Sequence, residues 1–288
     1  MSEIKRFLDQ AKLRVESAIE RTVPSAQLRP QTLHAAMRYS LMAGGKRLRP
    51  ALCYAAFEDC GGQGDAADWG AVALEMVHTF SLIHDDLPCM DDDDFRRGLP
   101  TCHKKFGEAM AVLAGDALSI LAFQVLARAG SAEAVLLLAS ALGSDGMLGG
   151  QVVDIQSEGS PCDLATVDYI HLHKTAALIE AALELGAVLA GADGQRRTIY
   201  REYGRAIGLA FQIVDDVLDI ESSTETLGKD VGSDVENQKA TYPAVVGLEE
   251  SKKRARELVD RAVELTDRMG PRGPVLADLA RFIVERGN

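Results

Sequence analysis

The chain has 288 residues, 47% of them hydrophobic and 26% charged, with a net charge of −12. This is a globular balance with enough chain to bury a large core, and the excess of acid speaks against nonspecific nucleic-acid binding. Five cysteines, Cys53, Cys60, Cys89, Cys102 and Cys162, show no C-x-x-C spacing, which argues against a disulfide framework or a structural zinc site and for a reducing compartment.

A helix is predicted over residues 3 to 21, where Ile4, Phe7, Leu8, Ala11, Val15, Ala18 and Ile19 recur at helical spacing. This start is amphipathic and unlike an apolar signal segment. A second helix is expected over 31 to 43 and ends at Gly44-Gly45; Lys46-Arg47-Leu48-Arg49-Pro50 opens a third. After the glycine-rich loop at 61 to 64, a mostly apolar helix begins at Ala66 and runs into an acidic stretch. Further helices are read over 108 to 129, 132 to 153, 164 to 189 and 198 to 220. Residues 221 to 237 read as a flexible polar loop, and helices over 242 to 269, with a break near 249 to 251, and over 275 to 286 follow. Strand signals are almost absent, and no uninterrupted apolar run reaches membrane-spanning length. The expectation is one all-α domain over 1 to 288, of roughly a dozen helices around a deep cavity, in the cytoplasm.

The acidic stretch carries the chemistry. Asp85, Asp86, Asp91, Asp92, Asp93 and Asp94 put six carboxylates within ten residues, and Arg96-Arg97-Gly98 follows. Two unit charges about 4 Å apart repel by about 4 kcal/mol at an effective dielectric near 20, so such crowding calls for open water or a cation. Acidic runs are ordinarily solvated. Here an apolar helix delivers the acids, and a second cluster lies far along the chain, in Phe211-Gln212-Ile213-Val214-Asp215-Asp216-Val217-Leu218-Asp219. Gln212, Asp215 and Asp219 share one face of that helix, among apolar neighbours. Hard oxygen ligands suit magnesium, which typically takes one or two carboxylates together with substrate phosphates. Arginine and lysine beside turns, at 46 to 49, 96 to 97, 174, 229 and 239, suit the phosphates. On the first acidic helix His78, Ser81 and Asp85 share a face, and Phe80 and Ser81 sit about 6–8 Å deeper than Asp85, where an apolar pocket would have its floor.

These motifs, Gly44-Gly45-Lys46-Arg47-Leu48-Arg49-Pro50, Asp85-Asp86-x-x-x-x-Asp91 with Arg96-Arg97-Gly98, Lys174-Thr175 and Phe211-Gln212-x-x-Asp215-Asp216-x-x-Asp219, resemble in order those of the trans-isoprenyl diphosphate synthases. The bacterial farnesyl diphosphate synthases are most alike. The resemblance implies the isoprenoid synthase fold, head-to-tail prenyl transfer between isoprenoid diphosphates, several Mg2+ ions and a homodimer, with no nucleic-acid partner and no stable membrane insertion. It implies that Asp85, Asp91 and Asp215 hold the metal, with Asp86 and Asp219 as supporting acids. It places Arg96, Lys174, Thr175, Gln212, Lys229 and Lys239 around the allylic substrate and Lys46, Arg49, His78 and Arg97 around isopentenyl diphosphate. Lys174, Thr175 and Gln212 are the groups it offers for stabilising an allylic cation, alongside the metal-holding acids. It makes Phe80 and Ser81 the limit on product length, and an aromatic at 80 with the inserted Pro88-Cys89 pair matches the farnesyl type. A geranyl or geranylgeranyl product, and a non-catalytic subunit of a synthase heteromer, are the alternatives.

Overall fold

The computed structural model describes residues 3–221 and 239–285; beyond Glu221, the loop expected over 221 to 237 lies outside the described residues. The described elements are α1 (Glu3–Thr22), α2 (Gln31–Leu41), α3 (Leu48–Asp59), α4 (Ala66–Asp85), a small antiparallel hairpin of β1 (Phe95–Arg96) and β2 (Leu99–Pro100), α5 (Cys102–Phe106), α6 (Glu108–Leu126), α7 (Ala132–Leu142), α8 (Met147–Ser157), α9 (Leu164–Ile170), a π-helical turn (His171–Ala176), α10 (Ala177–Leu189), α11 (Gly194–Glu221), α12 (Tyr242–Val246), α13 (Leu248–Thr266) and α14 (Gly273–Glu285).

Helices α4 and α10 form the centre. From Gly70 to Val77 every α4 residue is buried, as is nearly every residue of α10 from Leu178 to Val188, which is what helices apolar on all sides require. Around them, α3 and α6 pack on α4, while α11 packs on α10 with α13 on its outer side. Helix α1 is the contrasting case: only Phe7, Ala11, Val15, Ala18 and Ile19 are buried, an i, i+4 stripe laid on α3 and α4.

Three departures from the expected elements have local causes. The single helix expected over 132 to 153 is two, because Gly143 and Gly146 interrupt it, and α8 continues to Ser157. The break expected at 249 to 251 falls at Gly247, whose φ of +84° suits glycine alone. The helix expected over 164 to 189 is continuous in direction but widens into a π turn at the Lys174-Thr175 pair; such turns concentrate at functional sites. Helix α6 and the stretch Ala132–Ser157 are apolar and long enough by composition to cross a membrane. Asp116 interrupts the first and the Gly143–Gly146 break divides the second, and α6 packs against α2 and α4.

Candidate active site

The C-terminal end of α4 delivers the first acidic motif to the rim of a cavity of about 460 Å³. His78, Ser81 and Asp85 line it together, as their spacing predicts, with Phe80 deeper on the same helix and Lys174 and Thr175 opposite. Gln151 Nε2 donates to Asp85 Oδ1 at 3.1 Å. Burial pushes the Asp85 carboxyl up to about 6; Lys174 and Arg96 pull against this, and Asp91 and Asp86 add to it. Asp86 is buried and holds Arg96, whose Nε donates to Asp86 Oδ1 at 2.6 Å. Burial raises the Asp86 carboxyl while Arg96 opposes the rise. The backbone N–H of Asp91 donates to the Asp85 carbonyl at 2.8 Å, curling the motif back over the helix end, and Lys239 Nζ reaches the Asp91 carboxylate at 3.3 Å.

The remaining acids of the run turn away. Asp93 accepts from Arg96 at 3.2 Å and Asp94 from Lys104 at 2.6 Å. Among the described residues, the one set of three acid or imidazole side chains whose ligand atoms all lie within 4.8 Å of one another is Asp92, Asp94 and His103, none of them an expected ligand.

The second motif lies on α11. Asp216 is held on several sides: Gln212 Nε2 donates to Oδ1 at 3.2 Å, the Tyr242 backbone N–H donates to Oδ2 at 2.9 Å, and His171 Nε2 lies 3.4 Å away. Burial holds the His171 imidazole down at about 3, helped by Lys174, so it meets Asp216 as a neutral ring. Asp219 is also buried, and neither carboxylate oxygen has a hydrogen-bond partner among the described residues.

Two bridges bring the motifs to one place. Lys239 holds Asp91 and, three residues on, Tyr242 holds Asp216. The π turn does the same from another side: Lys174 acts on Asp85, and Thr175 Oγ1 donates to Gln212 Oε1 at 2.8 Å. Close backbone approach makes this possible. A Cβ at Gly150 would lie 2.3 Å from Lys174 N, and one at Gly208 would lie 2.7 Å from Ala176 Cα.

The donor set fits a hard divalent cation. Asp85 is raised by burial beyond what Lys174 and Arg96 offset, and Asp219 is a buried carboxylate with no donor among the described residues; both conditions are costly in a low-dielectric site and relieved by a cation.

A second cavity of about 500 Å³ opens on the other side of Arg49 and His78, which line both spaces. Lys46 and Arg97 line it as well. Arg49 Nε is buried without a partner among the described residues, and burial lowers the guanidinium to about 10, with Glu75 opposing and Arg97 adding. Burial and then Arg49, Arg97, Arg96 and Arg47 hold His78 well below its ordinary value, so the ring is neutral at pH 7. Arg47 is no part of this supply: it is buried against Glu75 at 2.5 Å and Glu16 at 3.3 Å. A positive chamber in which Arg49 Nε has no partner among the described residues is a site for a phosphorylated ligand.

Two residues at and behind the first cavity carry no motif in the sequence. Gln151 touches Asp85, and Asp154 accepts from Lys174 Nζ at 2.5 Å. Gly150-Gln151-x-x-Asp154, a glycine beside polar residues at i and i+3 in an otherwise apolar helix, was the available signal. Lys229 lies outside the described residues.

Comparison with known proteins identifies the family and the fold. The family model described as polyprenyl synthetase matches residues 30–270. The large subunit 1 of the chloroplastic heterodimeric geranylgeranyl pyrophosphate synthase of Arabidopsis thaliana is 48% identical, over 95% of this chain and 77% of its own. An apo FPP/GFPP synthase from Zymomonas mobilis superposes with a TM-score of 0.87 at 37% identity, covering 98% of each chain. A polyprenyl synthase from Caulobacter crescentus, complexed with calcium and isoprenyl diphosphate, superposes with a TM-score of 0.90 at 30% identity over 100% of this chain and 99% of its own. With the family model matched over residues 30–270 and relatives of this identity and coverage, the chain belongs to the polyprenyl synthetase family.

Proposed function

We propose that this trans-prenyltransferase condenses isopentenyl diphosphate head-to-tail with dimethylallyl and then geranyl diphosphate, and releases (2E,6E)-farnesyl diphosphate. The allylic diphosphate takes the cavity rimmed by Asp85, with its tail directed toward Phe80; isopentenyl diphosphate takes the chamber of Lys46, Arg49, His78 and Arg97. Asp85, Asp91 and Asp215, supported by Asp86 and Asp219, are the residues to hold Mg2+, which supplies neutralisation of the pyrophosphate charge.

The chain's own groups do the rest. Arg96, Lys174 and Lys239, with Lys229, grip and orient the allylic diphosphate. When its C–O bond breaks, the electron pair leaves on pyrophosphate and an allylic cation remains. The Thr175 hydroxyl, whose proton is spent on Gln212, turns lone pairs to that cation, and the Lys174 carbonyl and Gln212 amide add fixed dipoles. The isopentenyl double bond then forms the new carbon–carbon bond, and the proton it sheds goes to the departing pyrophosphate. Apolar walls exclude the water that would quench the cation. A neutral His78 donates to a phosphate oxygen without competing for protons.

The observation that carries the farnesyl assignment is Phe80, only 8% exposed, set in the wall of the cavity that Asp85 rims. A geranylgeranyl product is the second reading, favoured by the name of the Arabidopsis relative. Chromatography of products from labelled isopentenyl diphosphate and each allylic primer decides between them. Phe80→Ala is expected to lengthen the product; an unchanged length would remove Phe80 from the floor.

The homodimer is supported by exposed apolar side chains on one face of α6, Leu113 at 52% and Ile120 at 69% exposed at i and i+7. Such patches mark interaction surfaces. Intact acids in both motifs support a catalytic subunit over a regulatory one. Five free cysteines suit a reducing compartment, a demand that the cytoplasm meets.

A further inference from the structure

We infer that His84 and Gly115 form a prop that fixes the height of the Phe80 floor and so sets product length, with His84 a positioning residue rather than a catalytic one. The inference rests on the prenyl-transfer reading but not on its farnesyl detail. Phe80 and His84 lie one helical turn apart on α4, and both line the first cavity. Their rings meet edge to face, with centroids 5.9 Å apart at 75°. On its far side His84 rests on α6. Its Nε2–H donates to the Val112 carbonyl at 3.2 Å. The ring also lies against the bare Cα of Gly115: a Cβ there would fall 2.2 Å from Nε2, 2.6 Å from Cδ2 and 2.9 Å from Cε1.

Those distances leave no room for a methyl group behind the ring. Glycine in the middle of a helix weakens it relative to alanine, so the seat has a cost, and what it provides is depth for the imidazole. Push the ring off that seat and the open direction is the cavity, where it meets Phe80. Remove the ring and Phe80 loses its edge contact and its backing. Helix α6 thus controls the cavity without presenting Gly115 to it.

The test is a cycle of Gly115→Ala, His84→Ala and the double variant, each checked for folding by circular dichroism and assayed with labelled isopentenyl diphosphate and dimethylallyl diphosphate. Gly115→Ala is expected to lower the ratio of the final product to the one five carbons shorter by about tenfold or more, the discrimination a single methylene gives in a pocket. Its kcat/KM for the first condensation should stay within about threefold of wild type, since the barrier is to chain growth. His84→Ala should shift products to greater length. In the double variant the methyl meets no ring, so its products should match those of His84→Ala alone. An unchanged product ratio in Gly115→Ala, or a shortening that persists without His84, overturns the inference; should Gly115→Ala not fold, an unchanged length in His84→Ala overturns it alone. Phe80→Ala run alongside separates the claims: a longer wild-type product revises the farnesyl assignment, while the shifts relative to wild type still decide the prop.

Discussion

Replacing Asp85 by asparagine should stabilise the metal-free protein at alkaline pH while abolishing most of its turnover. The side chain keeps its size, and its Oδ1 can still accept from Gln151. What goes is a charge whose carboxyl is pushed up to about 6, against about 3.9 for an unperturbed aspartate, a difference worth about 3 kcal/mol at about 1.4 kcal/mol per pKa unit. Asp85 sits at an open rim, so solvent screening brings the usable figure to about 1–2 kcal/mol. The sign follows from linkage. A raised carboxyl costs nothing below the unfolded pKa, where both states are protonated; the cost grows as pH rises and is complete above the folded pKa of about 6. Asparagine carries no such cost. In EDTA at pH 8 the variant should melt about 2–6 °C above wild type, and the gain should fall by about two-thirds at pH 4.5. Scanning fluorimetry over this range measures it. A variant that melts lower, or shows the same gain at both pH values, would refute the claim that Asp85 is a charge waiting for a cation. With Mg2+ and a diphosphate present the order should reverse, because only the wild type gains binding energy.

Arg49→Gln should lower kcat/KM for isopentenyl diphosphate by about 10- to 150-fold, the worth of a hydrogen bond to a charged group, as read from initial rates with the allylic primer saturating. Arg47→Met should instead cost about 3–5 kcal/mol of stability by leaving Glu75 buried and unpaired, measured by denaturant titration, because its neighbour's exposure to ligand is not shared. Gly208→Ala should cost about 1–3 kcal/mol through overpacking against Ala176 and should lower kcat along with it as Thr175 leaves Gln212. Ile120→Glu should yield monomers in sedimentation velocity; a dimer unaltered by that charge would move the interface elsewhere.

The helices and their order were legible because burial leaves a periodic trace, as the Phe7, Ala11, Val15, Ala18 stripe shows. The acidic motifs were legible for a different reason: carboxylates delivered by an apolar helix have no ordinary use. What escaped was decided by tertiary contact. The π turn leaves the apolar pattern of the helix around it almost intact, so Lys174 and Thr175 read as residues of a plain helix. Gln151 and Asp154 carry no unusual chemistry until α8 crosses the turn at Gly150. Arg47 and Arg49 are two apart in sequence and equal in charge, and only burial against Glu75 separates a structural cation from one with a spare donor. The hairpin at Phe95–Pro100 is too short for alternation to register, and its closure comes from Thr101, whose N–H and Oγ1 bond to Asp94 and Asp93 carbonyls.

The central claim is that both acidic helices act on one diphosphate through shared cations. Crystals grown with Mn2+ and an allylic thiolodiphosphate, measured at the manganese absorption edge, test it directly. Anomalous peaks are expected between the diphosphate and carboxylates of both motifs, Asp85 and Asp91 from one side and Asp215 from the other. Peaks confined to one motif, or a diphosphate seated in the Arg49 chamber with no metal at Asp215, would contradict it.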